Sequence, residues 1–231
     1  MSRNKNCWYK NVCQAECSES CIRYIEMKYL MDSSGIPPVQ QYPVTVYATP
    51  EDKKVYEKLT EIKKNIKKWV NSGTHDIFIC SEHAGNAKTT WAIKLLLKYF
   101  DEVWSGNGLQ VRGMFVHVPT LLQQLKNFDS DTRLSQEYIE NLKTCDVVVW
   151  DDIATSSHLT DYEYNQLLVL IDNRVFNKKR NIYTSNIVEK DKLIEAIGAR
   201  LTSRIYDNSK EYVFKSNDGR GKFTSKNKDN I

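Results

Sequence analysis

The fold of this 231-residue chain is decided by one stretch, DIFICSEHAGNAKTTWAIKLLLKYF, which spans residues 76–100. Its first five residues, DIFIC (76–80), are apolar after the initial aspartate, which is typical of a strand buried on both faces. The apolar spacing over residues 89–100 predicts a helix. The loop between them contains Gly85 and the pair Lys88-Thr89. The stretch therefore predicts a strand, a glycine-containing loop and a helix.

The loop partly matches the phosphate-binding pattern G-x-x-x-x-G-K-[ST], in which glycines let backbone N–H groups turn toward phosphates. With Lys88 and Thr89 aligned on the pattern, Glu82 and Ala87 occupy its two glycine positions. Alanine is tolerated at the second position if its φ stays negative. Glu82 brings negative charge near an anion unless its side chain points away. The loop alone leaves two interpretations open, a nucleotide site and a surface turn that contains a lysine.

A second apolar strand, DVVVWDD (146–152), ends in the adjacent carboxylates of Asp151 and Asp152. Such a pair alone is equally typical of a helix cap or of a solvent-facing strand end. Here it follows a Lys-Thr loop, with a strand and a helix between. In phosphate-loop ATPases the first acid holds Mg²⁺ and the next polarises the attacking water. The combination favours a nucleotide site over a surface turn.

Strands and helices continue to alternate along the chain. The predicted elements are a strand over residues 111–118, a helix that opens at Pro119, a helix over 161–177 and a strand over 181–186. Continuous apolar strands that alternate with amphipathic helices predict an α/β fold, with a parallel sheet between helices.

Three polar residues near the end of this region complete the candidate site. Asn186 ends the strand NIYTSN (181–186), where its amide would orient water beside a γ-phosphate or simply form a turn. Arg200 and Arg204 lie four residues apart, on one face of a predicted helix. An arginine from a neighbouring subunit would stabilise phosphoryl transfer and make hydrolysis depend on assembly. The alternative is two exposed arginines with salt-bridge partners.

In order and spacing, these segments resemble the AAA+ ATPases of the DnaC/DnaI helicase-loader group, including phage-encoded members, over about residues 50–216. The resemblance rests on FICSEHAGNAKTTWAIKLL, MFVHVPTLLQQLK, VVVWDDI, LIDNRVFNKKRNIYTSNI and IGARLTSRIYD. It implies an AAA+ P-loop core that binds ATP and Mg²⁺. The loop residues that would bind the nucleotide are Gly85, Asn86, Ala87, Lys88, Thr89 and Thr90.

The resemblance also implies a role for each charged or hydroxyl group. Lys88 would contact the β- and γ-phosphates, and Thr89 and Asp151 would serve Mg²⁺. Asp152 would be the catalytic base, although it is one methylene shorter than the glutamate usual in the family.

The remaining polar residues complete the implied catalytic set. Asn186 would be the first sensor of the γ-phosphate. Arg204 would be the arginine finger supplied in trans, with Arg200 as the alternative finger. Because Glu82 and Ala87 depart from the family's glycines, weak or slow hydrolysis is expected, and ATP binding would matter more than turnover.

Four of the six cysteines crowd into fifteen residues near the N-terminus. In a reducing compartment such clustered thiols suggest a metal, and the resemblance suggests a zinc-containing module that grips the helicase. On a straight helix Cys13 and Cys21 would lie ~12 Å apart, so the chain must bend, with Ser18 or Ser20 capping a helix near Cys21. Zinc, an iron–sulfur cluster and free thiols remain the alternatives. The four candidate ligands are Cys7, Cys13, Cys17 and Cys21.

Two further helices are predicted before the strand DIFIC (76–80). Ile22, Ile25 and Tyr29 form the apolar face of the first, and Met27 and Leu30 broaden it. This helix is expected to end at Gly35 and to be followed by an extended linker over residues 35–48.

The second helix is predicted to start at Thr49-Pro50 and to run without a break through Trp69. Its seven lysines are interpreted as a solvated face or as a phosphate-facing surface.

Charge is distributed unevenly along the chain, whose net charge is +4. Residues 1–72 carry 12 basic and 8 acidic side chains, residues 73–208 carry 15 and 18, and residues 209–231 carry 6 and 3. The basic ends favour a polyanionic partner such as single-stranded DNA. No stretch of ~18 apolar residues is present and the N-terminus lacks a signal-peptide pattern, so a cytoplasmic protein without membrane contact is expected.

The sequence therefore predicts a cysteine-rich segment and linker (1–48), an AAA+ core (49–216) and a basic tail (217–231) that is disordered beyond about residue 220. The expected function is an ATPase that self-associates through its ATP site and helps load a replicative helicase hexamer onto single-stranded DNA in a bacterial cell. A transposition-helper ATPase and a weakly or non-hydrolysing nucleotide-dependent adaptor are the alternatives.

Overall fold

The computed structural model describes residues 6–15, 17–18, 20–42, 44–105, 108–127, 133–154 and 159–216. Strands and helices alternate from residue 76 onward, as the sequence predicts. The strands are β1 (Asp76–Cys80), β2 (Gly113–His117), β3 (Val147–Asp151), β4 (Arg180–Ser185) and β5 (Ser209–Val213). The helices are α1 (Ile22–Ser33), α2 (Lys53–Lys64), α3 (Ile66–Ser72), α4 (Lys88–Val103), α5 (Val118–Asn127), α6 (Arg133–Thr144), α7 (Asp161–Phe176), α8 (Lys190–Ile197) and α9 (Ala199–Tyr206).

The described strands form one parallel sheet in the order β2-β3-β4-β1-β5. In this register Cys80 lies beside Ser185, and His117 lies beside Asp151. The carboxyl ends of β1, β3 and β4 therefore meet at one edge of the sheet. Parallel strands necessarily share this edge, and ligands of such sheets bind there.

Both faces of the sheet are covered, which explains the continuous apolar runs in its strands. One face packs against α1, α2, α3 and α4, and the other against α5, α6, α7, α8 and α9. Alternate residues of β3 belong to opposite cores, with Val147 and Val149 on the first side and Val148 and Trp150 on the second. The predicted α/β architecture with a sheet between helices is confirmed.

Helix α1 forms where the sequence predicts it, but it buries only part of its predicted apolar face. Ile22 and Ile25 are 66% and 42% exposed, whereas Met27 and Leu30 are buried together with Met31. These three buried residues pack in the same core as α4. The backbone N–H of Phe115 in β2 also donates to the carbonyl of Ser34 at 2.6 Å and ties the end of α1 to the sheet.

The lysine-rich helix is interrupted, contrary to the sequence prediction. It starts at Lys53 rather than at Thr49-Pro50, and it breaks at Asn65, whose φ is −113°. The backbone N–H of Asn65 bonds the carbonyls of residues 61 and 62, which ends α2, and α3 then packs separately against α4. Asp52 does not cap the helix with its side chain. Its buried carboxylate instead accepts hydrogen bonds from the backbone N–H groups of Lys215 and Ser216, at 2.7 and 3.3 Å.

Helices α6 and α8 and strand β5 were not predicted from the sequence. Strand β5 has a mixed burial pattern, with only Tyr212 fully buried in it, because it lies at the edge of the sheet. Its sequence, SKEYV, lacks the apolar run that marks the central strands. Helix α8 has only eight residues, too few for a clear periodic pattern.

No helix among the described residues is long and apolar enough to cross a membrane. The predicted disorder of the tail beyond residue 220 concerns residues that lie outside the described ranges.

Candidate nucleotide site

A cleft of about 520 Å³ opens at the edge where β1, β3 and β4 end. All the predicted loop residues and two of the predicted catalytic residues line it together, although they come from three separate parts of the chain. The residues that line it are Gln40, Val44, Thr45, Val46, Ala84, Gly85, Asn86, Ala87, Lys88, Thr89, Thr90, Asp152 and Asn186. Its volume lies within the usual range of small-molecule sites, roughly 300–1,000 Å³.

Lys88 begins α4, and its side chain is 6% exposed. Its ammonium group donates to the backbone carbonyl of His83 at 2.8 Å and to Oδ1 of Asn86 at 3.1 Å. Asn86 in turn donates to the hydroxyl of Ser81, which also accepts the N–H of His83 at 3.1 Å. These contacts hold the loop around the lysine and place a buried positive charge at the N-terminus of a helix, where anions bind.

Thr89 and Asp151 meet across the cleft floor. The Thr89 hydroxyl donates to Oδ1 of Asp151 at 2.7 Å, although the two residues are 62 positions apart. Thr184, near the end of β4, donates to the same oxygen at 2.7 Å. Burial raises the pKa of Asp151, while the hydrogen bonds from Thr184 and Thr89 act in the opposite direction. The arrangement sets a hydroxyl and a carboxylate side by side, which are the oxygen ligands that Mg²⁺ takes.

Asp152 follows β3 directly and has a positive φ of 56°. Its backbone N–H donates to the Thr184 hydroxyl at 3.0 Å, so one threonine links both aspartates to β4. Its carboxylate lies 3.7 Å from Nε2 of His117, which ends β2. The left-handed turn directs Asp152 into the cleft, while Asp151 stays on the strand.

The two departures from the glycine pattern behave differently. Glu82 is exposed and does not line the cleft. The pKa of Lys192 is raised mainly by its hydrogen bond with Glu189, and the charge of Glu82 adds to this effect, so Glu82 faces Lys192. Its negative charge therefore points away from the anion site. Ala87 has φ 69°, so the condition that its φ stays negative is not met. The left-handed conformation is strained for alanine, by roughly 1–2 kcal/mol.

Ala87→Gly is expected to stabilise the chain by about 0.5–1 kcal/mol, because glycine removes the left-handed strain but gains freedom in the unfolded state. Urea unfolding of the two proteins measures the difference. Ala84→Gly is the matched control, since Ala84 lies in the same loop at negative φ, and it should destabilise or change nothing. Equal effects at the two positions would contradict the assignment of strain to Ala87.

The two predicted finger arginines lie away from this cleft. Both pair with Asp172 of α7: Nη2 of Arg200 lies 3.0 Å from Oδ2, and Nε of Arg204 donates to Oδ1. The two arginines line a different depression, about 740 Å³ in volume, beside the exposed ring of Phe176. Within one chain, the structure therefore does not bring Arg200 or Arg204 to Lys88. Both arginines have a salt-bridge partner, Asp172, as the alternative interpretation of two exposed arginines predicts.

Gly198 sets the direction of α9, the helix that carries Arg200 and Arg204. It joins α8 to α9 with φ 81°, and a Cβ there would lie 2.9 Å from the ring of Tyr164. A residue with a side chain would therefore be strained at this position and would push against α7.

The cysteine segment does not gather its thiols. All four cysteines are half-buried and reduced, and within the described ranges no group of three or more Cys, His, Asp or Glu residues is arranged to hold a metal ion. The chain does turn before α1, with N–H groups of residues 10, 12 and 13 bonding back to carbonyls at 7 and 9. Cys21 precedes α1 without a side-chain cap, so the predicted capping by Ser18 or Ser20 is wrong. The arrangement does not support zinc binding.

Sequence reasoning missed several residues in or beside the cleft. Thr184 does not line the cleft but bonds to Asp151, and nothing in the sequence distinguishes it within β4, which also contains Arg180, Asn181 and Ser185. Nothing in the sequence indicates that the linker residues Gln40 and Val44 line the cleft, because they lie far from the phosphate-binding loop along the chain.

The parallel sheet, with its Lys-Thr loop after β1 and its two aspartates at the carboxyl end of β3, matches the AAA+ P-loop fold. Solved structures with this fold are similar to the chain. The DnaC helicase loader matches with a TM-score of 0.61 and 18% identity over 74% of this chain and 94% of that one. DnaI matches with a TM-score of 0.59 and 17% identity over 78% and 95%. The replication initiator DnaA bound to AMPPCP and single-stranded DNA matches with a TM-score of 0.57 and 13% identity over 80% and 55%.

At these identities the likeness concerns the fold. No family model and no curated protein matches the chain.

Proposed function

We propose that the chain is an AAA+ ATPase that binds Mg²⁺-ATP in the cleft and helps load a replicative DNA helicase onto single-stranded DNA. The observation that carries the nucleotide site is that Lys88, which is buried, and Thr89 line one cleft, while the Thr89 hydroxyl is bonded to the carboxylate of Asp151. An ammonium, a hydroxyl and a carboxylate in this arrangement match the charges of a Mg²⁺-bound triphosphate.

In this proposal each side chain acts from its observed position. Lys88 exchanges the carbonyl of His83 for β- and γ-phosphate oxygens, which is a short movement of a flexible ammonium. Thr89 and Asp151 hold Mg²⁺, which would neutralise the phosphate charge. Asp152, directed into the cleft, positions or deprotonates the attacking water.

Asn186 lies in the same cleft at the end of β4 and would orient that water beside the γ-phosphate. The loop residues Gly85, Asn86, Ala87 and Thr90 would surround the phosphates with backbone N–H groups.

The arginines fit a role between subunits. Arg204 and Arg200 cannot serve the cleft of their own chain from where Asp172 holds them, but the exposed face beside Phe176 would present them to a second copy. Self-association through the ATP site would then complete the catalytic machinery, with Arg204 as the finger and Arg200 as the alternative.

Arg204→Ala is expected to retain Mg²⁺-ATP binding and to lower single-turnover hydrolysis by about 10³-fold or more, the usual effect of an arginine finger. Asp152→Asn should also abolish hydrolysis. Mixing the Arg204→Ala and Lys88→Ala proteins should restore activity. The Lys88→Ala protein supplies an intact arginine finger to the intact ATP site of the Arg204→Ala protein. Arg200→Ala tested in the same way identifies the finger. A mixture that stays inactive contradicts an arginine supplied in trans.

The helicase-loading role rests on the likeness to the DnaC helicase loader and to DnaI. Single-stranded DNA as a second partner rests on the likeness to a DnaA structure bound to it and on the lysines of α2 and α3, which attract phosphates without reading sequence. Co-purification of the full chain with candidate replicative helicases, with and without ATP, tests the role. Absence of any ATP-dependent complex would argue against it.

Residues 1–48 would be the helicase-docking segment, 49–216 the ATPase core and 217–231 a basic tail. Zinc bound by Cys7, Cys13, Cys17 and Cys21 would require a rearrangement of the observed segment. Metal analysis of protein purified without chelator tests it, and less than ~0.2 zinc per chain would remove it.

The adaptor alternative is favoured by the strain at Ala87, which weakens the case for rapid turnover. A transposition-helper ATPase would have a similar core. ATP hydrolysis by the wild type that is lost in Asp152→Asn would favour an enzyme over an adaptor. An ATP-dependent complex with a replicative helicase would favour a helicase loader over a transposition helper.

A further inference from the structure

The wall of the cleft opposite the phosphate loop is built by the linker that follows α1. Four of its residues line the cleft, and we name them the linker wall: Gln40, Val44, Thr45 and Val46. They stand about forty positions before the loop that they face. Lys88, Thr89 and Asp152 define the phosphate end of the cleft, so the linker wall lies where the remainder of a nucleotide would extend.

Backbone contacts hold the Gln40 end of the linker wall in place. A short 3-10 helix over Pro38–Gln40 is closed by the N–H of Gln40, which donates to the carbonyl of Pro37 at 2.8 Å. The turn before it is tied to β2, and Gly35 there has φ 72°, with room for no Cβ because the carbonyl of Phe115 would lie 2.8 Å away. The position of Gln40 is therefore fixed relative to the sheet.

The side-chain oxygen of Gln40 is buried and has no hydrogen-bond partner among the described residues. Most buried acceptors in proteins are satisfied, and one left without a donor destabilises the folded state. Because Gln40 lines the cleft, a turn of its side-chain amide would bring this oxygen to a ligand N–H group, which would satisfy it. The neighbouring valines are apolar and suit the face of a heterocycle.

We infer that the linker wall binds the nucleobase and that Gln40 selects a base with an exocyclic amino group, as in adenine. The amino group donates to the buried oxygen of Gln40. A base with a carbonyl at the same position sets two acceptors against each other and is disfavoured. This inference rests on the proposed nucleotide site, and it names Gln40 as a specificity residue of that site.

Three probes separate the base from the phosphates: Mg²⁺ with ATP, with ITP or with inorganic tripolyphosphate, each titrated into the full chain. ITP carries a carbonyl in place of the adenine amino group, and tripolyphosphate has no base. The wild type is expected to prefer ATP over ITP by about tenfold, the effect of one matched against one mismatched polar contact. Gln40→Ala should lose about fivefold in ATP affinity and most of this preference, with tripolyphosphate binding unchanged.

Gln41→Ala is the matched control, because Gln41 is the next residue, has the same side chain and does not line this cleft. Its amide donates to the carbonyl of Ile36 at 3.1 Å, so its removal reports on general disturbance of the linker. The control should keep the preference for ATP.

Equal affinities of the wild type for ATP and ITP would overturn the inference, as would an unchanged preference in Gln40→Ala or an equal loss in Gln41→Ala. If nucleotide binding still depends on Lys88 in those cases, the proposed nucleotide site remains supported. If neither nucleotide binds the wild type, the proposed function and the inference both fail.

Discussion

Lys88→Ala should lower the affinity of the chain for Mg²⁺-ATP by at least about 100-fold, the effect expected when one member of a buried charge pair is removed. Lys88 is 6% exposed and is the only lysine that lines the cleft in the part of the chain that the structure describes. Without it, the triphosphate would enter a cleft that is lined by the carboxylate of Asp152 and has no compensating lysine.

Titration of a fluorescent ATP analogue, with Mg²⁺ present, measures the change. Lys94→Ala is the matched control, since Lys94 belongs to the same helix but lies over the ring of Trp91, outside the cleft. The control should bind as the wild type does. Equal binding by Lys88→Ala and the wild type would show that the nucleotide, if it binds, does so elsewhere. Circular dichroism of both variants confirms that they are folded.

Arg174→Leu should destabilise the fold by about 3–5 kcal/mol, the usual effect of breaking a buried charged network. Arg174 is fully buried on α7, beneath the end of the sheet opposite the cleft. Its guanidinium donates to Oδ1 of Asn181 at 2.8 Å and to the carbonyls of Leu142, Cys145 and Arg180 at 2.7, 2.9 and 2.7 Å. Leucine would leave all four acceptors buried without this donor.

The network extends further through Asn181. Its side-chain and backbone N–H groups donate to the two oxygens of Asp76, at 2.8 and 3.0 Å, and its Oδ1 also accepts from the indole of Trp150 at 3.0 Å. Burial raises the pKa of Asp76 to about 6, against the effect of these hydrogen bonds and of the nearby Arg180 and Arg174. Removal of Arg174 therefore also takes away a positive charge that favours ionised Asp76.

Urea unfolding monitored by circular dichroism gives the free energy of unfolding of each protein. Since whole domains are stable by only about 5–15 kcal/mol, Arg174→Leu should approach the limit of folding at 37 °C. Arg133→Leu on the exposed surface of α6 is the control, and it should change the free energy by about 0.5 kcal/mol or less. A loss below about 1 kcal/mol for Arg174→Leu would contradict a stabilising role for the network.

Much of the candidate site follows from local patterns. An apolar run followed by a polar residue marks the carboxyl end of a buried strand, and parallel strands bring those ends to one edge. This is why Lys88, Thr89, Asp151 and Asn186 were predicted to lie together. The structure places Lys88, Thr89 and Asn186 around one cleft, with Asp151 bonded to Thr89.

Other features were wrong or missed because they depend on contacts between distant segments. The unbroken spacing from Val55 to Trp69 predicts one helix, yet the chain turns at Asn65 so that α3 packs on α4. Ile22 and Ile25 belong to the predicted apolar face of α1 and yet stay exposed, because only Met27 and Leu30 of that face reach the core. Arg174 has no sequence mark that separates it from an exposed arginine, since its acceptors come from two other segments, 142–145 and 180–181.

The sequence by itself determined the layered α/β architecture and the polar groups at the ends of β1, β3 and β4, because strand burial and strand direction follow from the local order of apolar and polar residues. The tertiary structure alone decided three features of the site: the left-handed conformation of Ala87, the pairing of both arginines with Asp172, and the placement of Gln40 in the cleft wall. Each depends on which distant residues pack together, and side-chain spacing along the chain carries no information about that.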